Sequence, residues 1–533
     1  LPAAALALTE RSLAIQPRAS QARLNAIALA RAQNDLPRLL KHLDAALAQH
    51  EDQELRSLRA HTWRALKEGP RRIDHDNLAE SSNYAAMLNS AGRLQDASLV
   101  LRRTLALHPA AAAAWNNFSF GKLLAGRLGD ALRVASIGKA IAPELLATQL
   151  NLAAALDALD LDGVDLSLRC GIALEPGSQA ALQALARRFS RTMQWGRFET
   201  WIGRAQRLAP NDPEVALALA HAHLVRGDMQ RGWRYWEGRL SRPDLSRPDL
   251  HGALWTGQEL HGATIVIHAE QGFGETLQFI RFVKAVAALG GRVILEVQPE
   301  LASLVARAFP DVPVARRGET LPPHDWHCPV PSLPSVLAIG AEQLPGPMPY
   351  LAPDADAVQV WCRRLACHRR PWVGMCWRGN PRFADDRRRS PGLVALSSVL
   401  DCPDVSFVSM TRDPSEADAP MLSRLLDTGE FLESFDQTAA LIGALDLVIT
   451  SDTAIAHLAG ALAVPVWLLL AHAADWRWLL DRSDNPWYPT ARLFRQPNPG
   501  NWAFVVASVS KELCLWSSSS RARSASAGSI GAD

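Results

Sequence analysis

The stretch LDLVITSDTAIAHLAGALAVPVWLLL, residues 445–470, reads as strand, loop, helix and strand in a single run. Its two apolar ends, 445–450 and 464–470, are short and rich in Val, Ile and Leu, whereas the segment between them carries helical spacing. A strand that passes through a helix to another apolar strand is the unit of a parallel sheet covered on both faces. Outward from it the alternation recurs at TIVIHA (264–269), RVILEV (292–297), WVGMCW (372–377) and VSFVSM (405–410). The Pro-rich interval 310–353 divides these strands into two sets, which predicts two doubly wound parallel-sheet lobes with a cleft between them. Ligands of such sheets lie at the carboxyl ends of the strands, so the loops directly after strands are where a site is expected.

Three of those loops carry suitable chemistry. In the opening stretch Ser451 and Asp452 stand as a helix cap, Thr453 opens the helix, and His457 lies about one turn inside. Asp at such a position most commonly accepts from main-chain N–H groups. A helix start facing a cleft also suits a pyrophosphate, which leaves Asp452 to bind sugar hydroxyls. His457 taken alone is more often a satisfied, half-buried histidine than a ligand contact. The loop HAEQGFGETLQFIRF (268–282) follows another strand; Gly272 and Gly274 permit close backbone approach, and a helix opens at about Glu275. A turn without a ligand is its plain alternative. It is not the dinucleotide fingerprint, because Leu277 stands where the third Gly of G-x-G-x-x-G is required, which argues against a dehydrogenase. The third loop, CWRGNPRFADDRRRS (376–390), gathers Arg378, Arg382, Arg387, Arg388 and Arg389. Charge runs are usually solvated surface. This one begins at a strand's carboxyl end, so Arg378 and Arg389 are the guanidiniums expected to meet a departing diphosphate.

The first half has a different grammar. Pro109, Pro143, Pro176 and Pro210 follow one another at steps of 34, 33 and 34 residues, and AGRLQDA (91–97) is repeated 34 residues on as AGRLGDA (125–131). That is the tetratricopeptide period, each unit reading helix, turn, helix, then a Pro that stops the second helix. About six or seven helical hairpins are expected across 1–240, with worn copies before residue 75. Such solenoids bind extended partners on a concave face. Asn83, Asn117 and Asn151 recur at the same repeat position, where a carboxamide can pair with a peptide backbone or, equally, with a neighbouring turn.

Composition narrows the classes. The 533 residues are 48% hydrophobic and 21% charged with a formal net charge of +2, which suits a multidomain globular chain and removes the electrostatic case for nucleic acid. The seven Cys are scattered without paired C-x-x-C strings, so neither a zinc site nor a disulfide framework is expected. No apolar run approaches the ~20 residues of a membrane span, and no leader is recognisable, so the expected location is cytoplasmic. Asp-x-Asp strings at Asp160/Asp162 and Asp354/Asp356 fall away from the three loops and read as chance.

With those residues in hand, the chain resembles bacterial tetratricopeptide proteins whose C-terminal half is similar to glycosyltransferase family 9, the heptosyltransferase-like family with the GT-B fold. EQGFGETLQF (270–279), WRGN (377–380), SDTAIAHLAGALAVPVW (451–467) and the strings DWRWLL, NPWYP and LFRQ within 475–496 carry the resemblance. It implies inverting sugar transfer from a nucleotide sugar without an obligatory metal or other cofactor. Glu275 matches the family's proposed Asp base, with one extra methylene. Asp452 matches the donor-sugar contact, and Arg replaces the family's phosphate-neutralising Lys in the 378–389 loop. The Asn ladder resembles that of protein O-GlcNAc transferases.

The expected map is a tetratricopeptide α superhelix (1–240), a linker (241–261), GT-B-like lobes at 262–353 and 354–515, and an unstructured Ser/Ala/Arg tail (516–533). Glu275 is the expected base. Gly272, Gly274, Arg378, Asn380, Arg389, Ser451, Asp452, Thr453 and His457 form the expected donor site, and Asn83, Asn117 and Asn151 an acceptor-binding ladder. The acceptor is expected to be a protein or a surface glycolipid. The alternative reading is a non-catalytic repeat scaffold with a degenerate transferase domain.

Overall fold

A computed structural model describes residues 77–528, apart from 243–249, 271, 381–382 and 384–385. The repeats expected before residue 77, Arg382 and most of the tandem SRPDL segment therefore lie outside the described residues. The chain divides into two compact units at 185/186.

Within the first unit, helices α1 (Leu78–Ser90), α2 (Leu94–Leu107), α3 (Ala112–Leu124), α4 (Leu128–Ile141), α5 (Leu146–Ala158) and α6 (Val164–Leu174) form antiparallel hairpins. Each repeat proline falls just past a second helix, because its ring forbids another helical turn. Small residues such as Ala85, Ala97, Ala114, Ala131, Ala135 and Ala155 are fully or nearly fully buried, which lets the helices approach closely. A left-handed residue recurs in successive hairpin turns at Gly92, Gly126 and Asp160 (φ +73°, +69° and +53°). Two glycines remove the Cβ clash of that conformation, and Asp is one of the side chains that tolerates it.

Helix α7 (Gln179–Arg191) spans the division, and α8 (Trp195–Leu208), α9 (Pro213–Leu224) and α10 (Met229–Trp236) belong to the second unit. The helices thus continue to Trp236, close to the expected boundary at 240, while the division into compact units falls inside α7. The last hairpins pack into the α/β region: the Trp233 indole donates to Ile339 O at 2.8 Å, and Trp236 donates to Pro331 O at 3.0 Å. The buried Arg239 guanidinium pairs with both Glu270 oxygens at 2.9 and 3.1 Å. Within the segment expected as a linker, Ala253–Leu254 forms strand β1 and Trp255 is buried.

The first sheet holds β1, β2 (Thr264–His268), β3 (Arg292–Val297), β4 (Val314–Arg316) and β5 (Trp326–Pro329) in the order β1-β5-β2-β3-β4, all parallel. The second holds β6 (Trp372–Cys376), β7 (Ser406–Ser409), β8 (Leu447–Ser451), β9 (Val466–Leu470) and β10 (Ala491–Arg495) in the order β10-β9-β8-β6-β7, again parallel. Strands β6, β8 and β9 are buried along their whole length, as apolar strands covered on both faces must be. In each sheet the connection reverses direction beside a central strand, at β2/β5 and at β6/β8, and those switch points are where the three candidate loops emerge. Helix α11 (Phe273–Phe279) follows β2, α12 (Phe435–Ala444) precedes β8, and α13 (Ala454–Ala461) follows it.

Helix α14 (Trp502–Gly528) runs through most of the segment expected to be an unstructured tail. Its low complexity hides anchors: Trp516 meets Trp467 edge-on with ring centroids 6.2 Å apart, and Ser517 is buried.

Candidate active site

Glu275 lies in the first turn of α11 with 27% of its side chain exposed. Gly274 is demanded by packing, because a Cβ there would stand 2.8 Å from His457 Cδ2 on α13. Gly272 is under no such constraint: a Cβ would meet nothing closer than Glu275 Cγ at 3.6 Å.

On the second lobe the cap differs from the expectation. Thr453, not Asp452, is the N-cap of α13, its hydroxyl accepting from Ile455 N at 3.3 Å. Asp452, half-buried, is released from the usual duty of Asp at a helix start. Burial first, and the Asp475 charge second, push its carboxyl up to about 6, against Arg389, Trp478 and Arg477. Burial also acts upward on Asp475, but Arg477 outweighs it and holds that carboxyl below its ordinary value. Ser451 is fully enclosed at the end of β8 and offers no surface to a ligand. His457 is buried, stacks on Trp478 with centroids 5.3 Å apart, and shares a 3.0 Å hydrogen bond between Nδ1 and the Tyr488 hydroxyl. Burial and the nearby Arg477 charge lower it to about 3, so it is neutral. Its place is beneath the site, supporting the close approach of α11.

In the third loop Asp386 is the organiser. It is buried, accepts from Gly379 N at 3.2 Å and from Arg389 Nε at 3.1 Å, and so turns the chain back under the cleft. Arg389 lies over the Phe383 ring at 4.5 Å and its charge acts on Asp452, which joins this loop to the second. Arg378 is half-buried and Asn380 exposed, both in the same loop after β6.

The centre of the arrangement is a residue to which sequence reading gave no role. Arg477 donates to Glu275 Oε1 at 3.2 Å, to Gln278 Oε1 at 2.7 Å and to Asp475 Oδ1 at 2.9 Å. It therefore joins the lobe that carries α11 to the turn after β9. Burial raises the Glu275 carboxyl above its ordinary value, with Arg477 opposing, Glu270 and Asp475 reinforcing and Arg239 opposing. Asp475 and Arg477 stand in a post-strand loop, which was the signal available. The repeat helices reach the same centre: Trp233 and Trp236 meet the Trp476 ring at 5.4 and 5.9 Å.

The asparagine ladder is used within the solenoid. Asn117 Nδ2 donates to Ser82 O at 2.8 Å and Asn151 Nδ2 to Asn116 O at 3.0 Å, the same step back to the preceding repeat. Asn83 is exposed on α1. Two hollows, of about 470 Å³ beside α2 and α3 and about 450 Å³ beside Met229 and Leu480, are lined by residues other than Glu275 and Asp452. No helix among the described residues is long and apolar enough to cross a membrane.

No family model matches the sequence. The chain is 27% identical over 468 residues to Protein FlbA of Caulobacter vibrioides, spanning 82% of this chain and 73% of that one. It is similar over 31% of its length to 92% of a thermophilic tetratricopeptide protein from Thermus thermophilus, at 17% identity and a TM-score of 0.29. It is similar over 47% of its length to 99% of the E. coli ADP-heptose lipopolysaccharide heptosyltransferase II, at 14% identity and a TM-score of 0.33. The dodecameric heptosyltransferase TibC matches 40% of this chain over 60% of its own, at 14% identity and a TM-score of 0.30. TibC is described as iron-containing, so the expectation of a reaction without metal is corrected: metal independence does not follow from this resemblance. Among the described residues no group of three or more His, Cys, Asp or Glu could hold a metal ion. The chain combines helical hairpins with two five-stranded parallel sheets.

Proposed function

We propose that the protein is an inverting glycosyltransferase that moves a sugar from a nucleotide sugar to a hydroxyl of a protein segment or glycolipid brought by its repeats. One observation carries the reading. Glu275, from the switch point of one lobe, accepts from the Arg477 guanidinium at 3.2 Å, and Asp452, from the switch point of the other, interacts with the same guanidinium through its charge. Glu275 accepts the proton as the acceptor oxygen attacks the anomeric carbon, and a carboxyl raised by burial is suited to that work near neutral pH. Attack from the face opposite the leaving group breaks the bond from that carbon to the diphosphate oxygen and inverts the configuration. Asp452 hydrogen-bonds donor sugar hydroxyls. Arg389 and Arg378, with Asn380 and the first amides of α13 beyond Thr453, meet the charge of the departing nucleoside diphosphate.

The test is calorimetric and thermal-shift titration of the full chain with nucleoside diphosphates and their sugars. A ligand bound only by the native state raises the melting temperature by mass action. A selective hit that Asp452→Ala abolishes and Glu275→Gln retains, with transfer lost in the latter, is the expected result. Silence across the panel at millimolar ligand refutes the reading and leaves the non-catalytic scaffold.

A further inference from the structure

Glu275 is an unusual place to keep a base. Its carboxylate is recessed, it shares its surroundings with two other acids, Glu270 from the loop after β2 and Asp475 from the turn after β9, and its own helix offers no cation. Two guanidiniums face it from elsewhere: Arg239, at the end of the repeat helices, and Arg477. They are not equivalent. Arg239 is fully engaged by Glu270, Glu237 and the Ser332 hydroxyl at 2.9, 3.0 and 2.6 Å, and touches Glu275 only through its field. Arg477 makes the direct contact, and its plane is fixed on both sides, by Gln278 Oε1 at 2.7 Å and Asp475 Oδ1 at 2.9 Å. The Trp476 ring 4.4 Å away leaves it little freedom to leave. His457, packed against this segment through Gly274, is neutral, and His221 on α9, which interacts with Asp475 and Arg477, is lowered by burial.

We propose that Arg477 is the positioning residue of the Glu275 base: reaching across from the other lobe, it holds the carboxylate in place through a direct charged hydrogen bond. The inference rests on the glycosyltransferase reading for its purpose, though not for its geometry. Because Gln278 and Glu275 are one turn apart on α11, a planar fork that holds both sets the rotation of the helix start as well as the charge of the acid. Lysine at this position keeps the charge and loses the fork. The base is therefore complete only when the two lobes are together, and its competence is set by a residue 202 positions away in the chain.

The test reads the ionisation of Glu275 directly. The full-length protein is labelled with a water-soluble carbodiimide and an amine across a pH series, and labelling at Glu275, which requires the protonated acid, is followed by peptide mass spectrometry. Arg477→Gln is expected to move the labelling midpoint upward by at least one pH unit, and Arg477→Lys to return most of that shift while still slowing transfer. Should Arg477→Gln fail to fold, Asp475→Asn serves instead: it removes a repelling charge and leaves Arg477 to Glu275, so the midpoint must fall. A folded Arg477→Gln or Asp475→Asn protein with the wild-type midpoint overturns the proposal. Donor binding, measured separately, distinguishes this failure from that of the glycosyltransferase reading: no nucleotide sugar bound with the shift intact leaves Arg477 as the setter of Glu275 in a site of another purpose.

Discussion

Replacing Asp452 by Asn should make the protein more stable at neutral pH while destroying its donor site. The reason is the unfavourable company that this carboxyl keeps. Burial and the charge of Asp475 raise it from an ordinary 3.8 to about 6. Below about pH 4 the folded and unfolded chains both hold the proton, and the group contributes nothing. Between about 4 and 6 the folded chain keeps a proton that the unfolded chain has released, so stability falls as pH rises; above 6 the full penalty remains. The step from 3.8 to about 6 corresponds to about 3 kcal/mol at most, and Asp475, whose ionisation Arg477 favours, carries part of the same interaction. Asn keeps the shape and drops the charge. Thermal melts of the two proteins from pH 4 to pH 8 should coincide at the acid end and diverge upward for Asp452→Asn, by a few degrees at pH 7 for about 2 kcal/mol. A wild-type protein that is the more stable at pH 7, or a difference that does not change with pH, refutes the electrostatic reasoning. A destabilising carboxylate pair at a cleft is also the pattern expected where function, not stability, has kept the residue.

Gly274→Ala places a methyl against the His457 ring, and overpacking of that kind costs about 1 to 3 kcal/mol; a melting temperature equal to wild type would show that α11 and α13 can separate freely. Asn117→Ala removes the bond to Ser82 O and should cost the repeat unit about 1 kcal/mol in urea unfolding with donor binding unchanged. A loss of acceptor affinity without loss of stability would instead restore the peptide-ladder role. Cys402 and Cys514 have sulfurs 2.9 Å apart, so oxidised glutathione should close them by thiol–disulfide exchange, releasing two reduced glutathiones and tying α14 to its lobe. The cross-link should add on the order of 4 kcal/mol against unfolding, and persistence of both thiols to alkylation after that treatment contradicts the geometry.

What could be read beforehand divides along physical lines. Strands β2, β3, β6, β7, β8 and β9 announce themselves because each is a short, largely apolar run, and the hairpins because proline and turn residues recur at a fixed step. Strand β5 was hidden: Trp326–Pro329 contains a His and ends in Pro, yet it lies beside β2 in the middle of the first sheet. Its membership is decided by pairing with Ile265–His268, and local pattern carries no trace of that. The division inside α7 was hidden for a similar reason. Period and punctuation continue through α10, so nothing in the repeat says that Trp233, Trp236 and Arg239 face the other fold instead of another repeat.

The site shows the same division at the scale of single groups. Post-strand position marked Glu275, Asp452 and Arg389 for attention, and strand order is what brings their three loops around one cleft. The capping role could have gone to either Asp452 or Thr453, both good caps, and only the structure shows that the threonine takes it and leaves the carboxylate to face Asp475 and Arg477. The string Asp475–Trp476–Arg477 has the look of a local turn, and locally it is one, with Asp475 accepting from Arg477 N at 3.0 Å. Its consequence for Glu275 exists only because β9 lies inside its sheet and aims the turn at the opposite lobe. A carboxylate can be found from its own loop; the cation that meets it has to be found from the fold.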